Sequence, residues 1–163
     1  MRVIVRSKGL GQVVALRNAL RNPGPMLVEL SKQLALEAQD QVLECFETQA
    51  NPYGQAWAPK KRPDGRAILT GKTSRLRNGW KAKPKRIGTY RWRISPSVPY
   101  AKWLQQGTKN KDGSVSMVAR EMVPDERGFP DTWLEGFREV AVETLRAHFS
   151  GVGIRAQKKA HFR

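Results

Sequence analysis

From Trp80 to Ile94 the chain runs WKAKPKRIGTYRWRI, with polar and apolar side chains alternating at the period of an extended strand. Lys81, Lys83 and Lys85 fall on one side of such a strand, and Trp80, Ala82 and Pro84 on the other. After a turn at Arg86-Ile87-Gly88-Thr89, Tyr90, Trp92 and Ile94 share one face while Arg91 and Arg93 take the opposite one. Glycine near the turn, followed by aromatic and β-branched residues, predicts a β-hairpin with one face for a core and one lined with cations. Like charges on adjacent strands repel. Such a strip therefore calls for water, nucleic acid or an acidic protein surface opposite it. An ordinary solvated sheet face accounts for any single lysine, and less well for the whole strip.

Elsewhere the period is helical. Leu27, Leu30, Leu34, Ala38, Val42 and Cys45 recur at spacings of three and four, with Glu29, Lys32, Gln39, Asp40 and Glu47 on other faces. Pro25 suits the first position of that helix, where its missing N–H removes no bond. Asn51-Pro52-Tyr53-Gly54 stops it. Trp133, Leu134, Phe137, Val140, Ala141, Thr144, Leu145 and His148 repeat the pattern in a second helix over 131–149. Weaker signals predict a strand at 1–6, a short helix at 10–20 ended by Asn22-Pro23-Gly24, a loop at 55–65 and a helical turn within 67–76. A short helix follows Pro99, with Tyr100, Trp103 and Leu104 on one side and Gly107 as its C-cap. A polar loop at 108–113 leads into a strand within 114–122. The sum is an α+β fold: a long helix and a C-terminal helix packed on a small antiparallel β-sheet that includes the basic hairpin. One domain spans 1–150, with 1–24 as an N-terminal arm, and 151–163 forms a basic tail that orders when something binds it.

Charge sharpens this picture. The 163 residues carry a formal net charge of +16. Between Lys60 and Arg93 stand thirteen lysines and arginines and a single acid, Asp64. Acids gather instead over 29–47 and 121–143, where the helical patterns lie. A chain polarised in this way suits contact with DNA or RNA backbones, or assembly of basic face on acidic face. Cys45 is the only cysteine, so an intrachain disulfide is impossible and a reducing compartment is expected. It falls on the apolar side of the long helix, a packing position. No signal-peptide run follows the basic N-terminus, and no segment approaches the length of a membrane span, which predicts a soluble, intracellular chain without membrane partners.

Candidate catalytic motifs fail on spacing. GRAILTGKT at 65–73 has five residues between its glycines, where a phosphate-binding loop needs four, and a proline-containing basic loop precedes it instead of a strand. GVGIRA at 151–156 meets the loose dinucleotide pattern but opens no βαβ unit. His148, His161 and a lone cysteine do not make a usual zinc site. No serine or cysteine has an evident base beside it. The expectation is a non-enzyme without metal or cofactor. Interleaved rings and cations at 80–93 also suit a single-strand binder. The alternation argues against stacking, because it sends the rings to one face and the charges to the other. A surface for phosphates without sequence preference remains.

Residues 46–76, FETQANPYGQAWAPKKRPDGRAILTGKTSRL, resemble the signature of tailed-phage virion-morphogenesis proteins, also called tail-completion, neck or minor tail proteins. A helix ending in phenylalanine is followed by Pro-x-Gly-x-x-Trp, a basic loop and a Leu-Thr-Gly segment. Pro52, Gly54, Trp57, Leu69, Thr70 and Gly71 match. YAKWLQQGT at 100–108 resembles the family's second landmark, Tyr-Ala-x-x-x-x-x-Gly-Thr, through Tyr100 and Gly107. The likeness covers about 26–147 by order of elements. It departs where members often carry an Arg-Pro-Phe-Leu-Gly segment, since Arg120 to Pro124 and Phe129-Pro130 stand there. The resemblance implies a non-catalytic virion component, made in the host cytoplasm. It implies a ring, usually six-fold, at the head-proximal end of the tail, in contact with other neck and tail proteins. Lys81, Lys83, Lys85, Arg86, Arg91 and Arg93 would then face passing genomic DNA or a partner ring.

Overall fold

The computed structural model describes residues 14, 17, 18, 20–69, 71 and 73–151. The strand expected at 1–6 and the tail at 152–163 lie outside them, as does most of the N-terminal arm; Val14, Arg17, Asn18, Leu20 and Arg21 are helical. The long helix, α1, runs Gly24–Thr48, with Pro25 in its first turn and Gln49 closing it in the left-handed region at φ 56. Its buried face is Ala35, Gln39, Val42, Cys45 and Phe46. The N-terminal end of the expected stripe is looser, and Leu27 is exposed.

The ribbon begins later than the alternation predicts. Arg75–Trp80 is a six-residue helix, α2, and Lys81 is its C-cap. Leu76 and Trp80 stand four apart and are both buried, so Trp80 reaches the core through a helical turn and not through a pleat. Gly79 lies between them, where a Cβ would meet the Ser97 amide nitrogen at 3.2 Å. Extended pairing starts at β1, Lys85–Arg86, which runs antiparallel to β2, Trp92–Arg93, with Lys85 opposite Arg93 and Arg86 opposite Trp92. Helix α3, Ala101–Gln106, leads to a second hairpin, β3 Thr108–Lys109 with β4 Val115–Met117. The strand expected over 114–122 is therefore short, and the single sheet expected is two separate two-stranded ones. After Ala119 the backbone leaves the hairpin, and the Arg120 amide donates to the Leu104 carbonyl at 2.7 Å.

Asp131–Gly151 forms the last helix, α4, which packs along α1. Gly136 faces α1, under the side chains of Glu37 and Gln41. One core joins these parts: Val42, Cys45 and Phe46 of α1, Trp57, Leu76, Trp80, Val98, Ala101, Met122 and Trp133. Phe46 meets Trp57 edge to face, with centroids 5.6 Å apart. Met122 is 0% exposed, a burial worth about 1.5–3 kcal/mol. In α3 the inward positions are Ala101 and Leu104, with Val98 just before them. Tyr100 and Trp103, expected beside Leu104, instead face outward, and Trp103 is 55% exposed. Leu134 is likewise exposed on α4.

Candidate nucleic-acid or partner interface

Two side chains of α1 hold the basic hairpin in place. Ser31 Oγ accepts from Trp92 Nε1 at 3.0 Å, fixing the apolar face of β2 against the helix. Two turns later, about 12 Å along the axis, Gln39 Nε2 donates to the carbonyl oxygens of Trp80 and Ala82, the latter at 2.7 Å. Those carbonyls belong to the end of α2 and the lead into β1. Gln39 is the one buried polar side chain among the described residues. By periodicity it belongs to an outer face, because a lone amide within an apolar stripe gives no sign of the backbone acceptors awaiting it.

The six cations do not form one uniform row. Lys85 and Arg93 are cross-strand partners, so their side chains share a face. The Ile87 amide donates to the Arg91 carbonyl at 2.9 Å, which extends the register toward the turn. Arg86 is opposite Trp92 and folds over the turn, donating to the carbonyls of Gly88 at 3.1 Å and Thr89 at 3.3 Å. Lys81 caps α2, and Lys83 lies in the extended link before β1. All six are exposed, and none lies within ion-pair distance of a carboxylate among the described residues. Other cations do find acids: Lys60 and Arg66 both reach Asp64, and Arg77 reaches Glu47. Trp92 and Ile94 are partly buried, as their face requires. The alternation places Tyr90 inward beside them. It sits past the strand pairing, near Gly24 at the start of α1, and is 49% exposed.

Most of the residues that carry the family resemblance perform visible local tasks. The Asn51 side-chain oxygen accepts from the amides of Tyr53 and Gln55, at 3.1 and 2.9 Å, forming the turn that ends α1. Pro52 is buried in that turn, and Gly54 supplies its φ of 80. Trp57 then enters the core, and its Nε1 donates to the Glu121 carbonyl at 2.9 Å. Leu69 is half-buried with φ 63, and Gly71 has φ 40; Thr70 lies outside the described residues. Leu69, Gly71 and Tyr100 line one recess of about 350 Å³ with Lys60 and Arg120, so segments 31 residues apart in sequence meet there. Gly107 has φ 69 and ψ 178, and a Cβ there would stand 2.7 Å from the Met117 carbonyl oxygen. The segment replacing the Arg-Pro-Phe-Leu-Gly pattern is pinned as well. Arg120 donates to the carbonyls of Ala58 and Pro59, and Gln105 Oε1 accepts from the Met122 amide at 2.7 Å.

A second polar cluster was not legible in the sequence. The Tyr53 hydroxyl lies 2.8 Å from Asp125 Oδ1 and accepts from the Asp125 amide at 3.1 Å. The Arg127 guanidinium covers the Tyr53 ring at 3.8 Å and pairs with Asp125 and Glu121. Hydrogen bonds from the Arg127 side chain and amide, then from Tyr53, hold the Asp125 carboxyl well below the usual carboxylate range. This latch forms one wall of an open cleft of about 850 Å³ between the end of α1 and the start of α4.

Reactive chemistry has few candidates. Burial, with Glu44 adding repulsion, pushes the Cys45 thiol up to about 11, which leaves it protonated and inert near neutral pH. Among the described residues no three histidine, cysteine or acidic side chains come together as metal ligands, and no helix is long and apolar enough to cross a membrane. Compared with protein-family models, curated proteins and solved structures, the chain matches none.

Proposed function

We propose that this chain is a non-catalytic structural component of a tailed-phage virion, a tail-completion or head–tail joining protein. It forms a closed ring around the DNA channel, with the Lys85–Arg93 face of the hairpin toward DNA or an adjoining ring. The observation that carries this reading is the set of six exposed cations without a carboxylate partner, two of them directly opposite each other across a strand pair. Such a pair destabilises an isolated hairpin by a few tenths of a kcal/mol or more. A polyanion opposite it reverses the sign. The motif residues add support, because Gly54, Trp57 and Gly107 each occupy a position where the backbone or the core needs that residue type.

The competing reading is a free, nonspecific nucleic-acid-binding protein. Tyr90 favours it: an exposed ring beside Arg91 offers stacking and phosphate contact together. Light scattering combined with duplex-DNA binding at two salt concentrations separates the two. The ring component is expected to form a discrete multimer whose DNA binding ignores sequence and falls with salt by about 0.9 log units per log unit for each phosphate contact. K85E/R93E is expected to keep its fold and multimeric state and lose DNA binding. A stable monomer with tight, steeply salt-dependent binding favours the competing reading. Unchanged binding by K85E/R93E overturns the assignment of this face.

A further inference from the structure

The ring reading leaves open which surfaces meet, and the cleft beside the Tyr53 latch supplies a candidate. Its lining includes an apolar stretch of Pro52, Pro130 and Trp133, with Phe129 stacked on Trp133 yet 55% exposed. Its rim carries the carboxylates of Glu44 and Asp131, neither within ion-pair distance of a cation among the described residues. Arg127 also lines the cleft, but Asp125 and Glu121 already neutralise it. The helix pair behind this rim, α1 with α4, holds nine of the chain's fourteen acids and three of its bases. An apolar hollow with an unpaired acidic rim calls for an apolar knob flanked by cations.

The hairpin turn has that composition. Ile87 is 53% exposed and Tyr90 nearly as much, and Arg86 and Arg91 flank them. The hydrogen bonds from Arg86 to the Gly88 and Thr89 carbonyls brace the turn, so little conformational freedom remains to be lost on docking. Resting on the ring reading, we propose that the Ile87–Tyr90 turn of one chain seats in the Glu44/Asp131 cleft of a second copy. The contact is heterologous, since knob and cleft are different surfaces of one molecule, and it propagates until a ring closes. Only the tip is used. The Lys85–Arg93 face stays free for a polyanion.

Charge exchange tests this directly. R91E alone, and E44R/D131R alone, are each expected to weaken self-association at least about tenfold by light scattering, because like charges then meet across the contact. An equimolar mixture of the two variants places an acidic tip on a basic cleft and a native tip on a native cleft, and is expected to restore association. As a second readout, T89C/T132C in a C45S background is expected to give a ladder of covalent multimers with a short bismaleimide crosslinker. Multimers that survive both charge exchanges, with no ladder, overturn this contact and leave the ring standing. Wild-type protein that stays monomeric at every concentration, with and without duplex DNA, overturns both.

Discussion

Gly107→Ala should be among the most damaging single-methyl additions in this protein. Gly107 combines φ 69 with ψ 178, a backbone region occupied almost only by glycine, and holding alanine there costs of order 1–3 kcal/mol. Sterics add to that. The new Cβ would stand 2.7 Å from the Met117 carbonyl oxygen and 2.8 Å from the Ala119 nitrogen. Both are backbone atoms of the segment that pairs with β3 and then turns to α3, so neither can rotate away. A total loss of about 3 kcal/mol or more is expected, or roughly 6–12 °C in Tm. Gly54→Ala is the control, because φ is 80 there but nothing lies within 4 Å of the added methyl. It should cost only the left-handed term, about 1–2 kcal/mol. Gly136→Ala should differ in sign. Its Cβ meets the flexible ends of Glu37 and Gln41, which can swing aside, and alanine gains up to about 1 kcal/mol of helix propensity. Urea denaturation of all three, compared at constant m, checks the order. Equal losses at Gly107 and Gly54 would refute the close approach of 107 to 117–119.

Gln39→Ala is expected to leave the Trp80 and Ala82 carbonyls short of a donor and to cost about 1–3 kcal/mol, measured by the same denaturation. A loss under 0.5 kcal/mol, on the order of a neutral surface change, would show that water replaces the amide. Asp125 titrates below its ordinary value, so its contribution to stability is fully present above about pH 4 and is lost as pH falls through its depressed folded value. Carboxyl-carbon NMR should place its midpoint below that of an unperturbed aspartate and return it toward the ordinary range in R127A. An unshifted midpoint in the wild type would remove the latch from the account. Cys45 should resist maleimide at pH 8 in the folded protein and react after unfolding. Rapid labelling of the native chain would contradict its burial.

Strong periodicity over many residues was legible, and short-range alternation was not. The helices at 24–48 and 131–151 follow directly from apolar spacings at three and four, with Pro25 marking one start. The run WKAKPK satisfies a strand template because Trp80, Ala82 and Pro84 alternate with lysines. The same tryptophan satisfies a helical template with Leu76, and burial against α1 decided between them. Likewise Tyr100 and Trp103 share a helix side on paper, whereas the structure turns Ala101 and Leu104 to the core and leaves Tyr100 and Trp103 exposed. Of the six expected site cations, the structure brings Lys85 and Arg93 onto one face and assigns Arg86 to bracing the turn and Lys81 to capping α2. The Tyr53–Asp125–Arg127 latch joins residues about seventy apart in the chain. No local pattern encodes such a contact. Gln39 was missed for a related reason, since its acceptors exist only after α2 and the hairpin have docked.

An electron cryomicroscopic reconstruction of the assembled protein bears most directly on the central proposal. A closed ring with the Lys85 and Arg93 side chains lining its central opening is expected. A ring in which those two side chains point away from the axis, or an absence of any closed assembly, would contradict it.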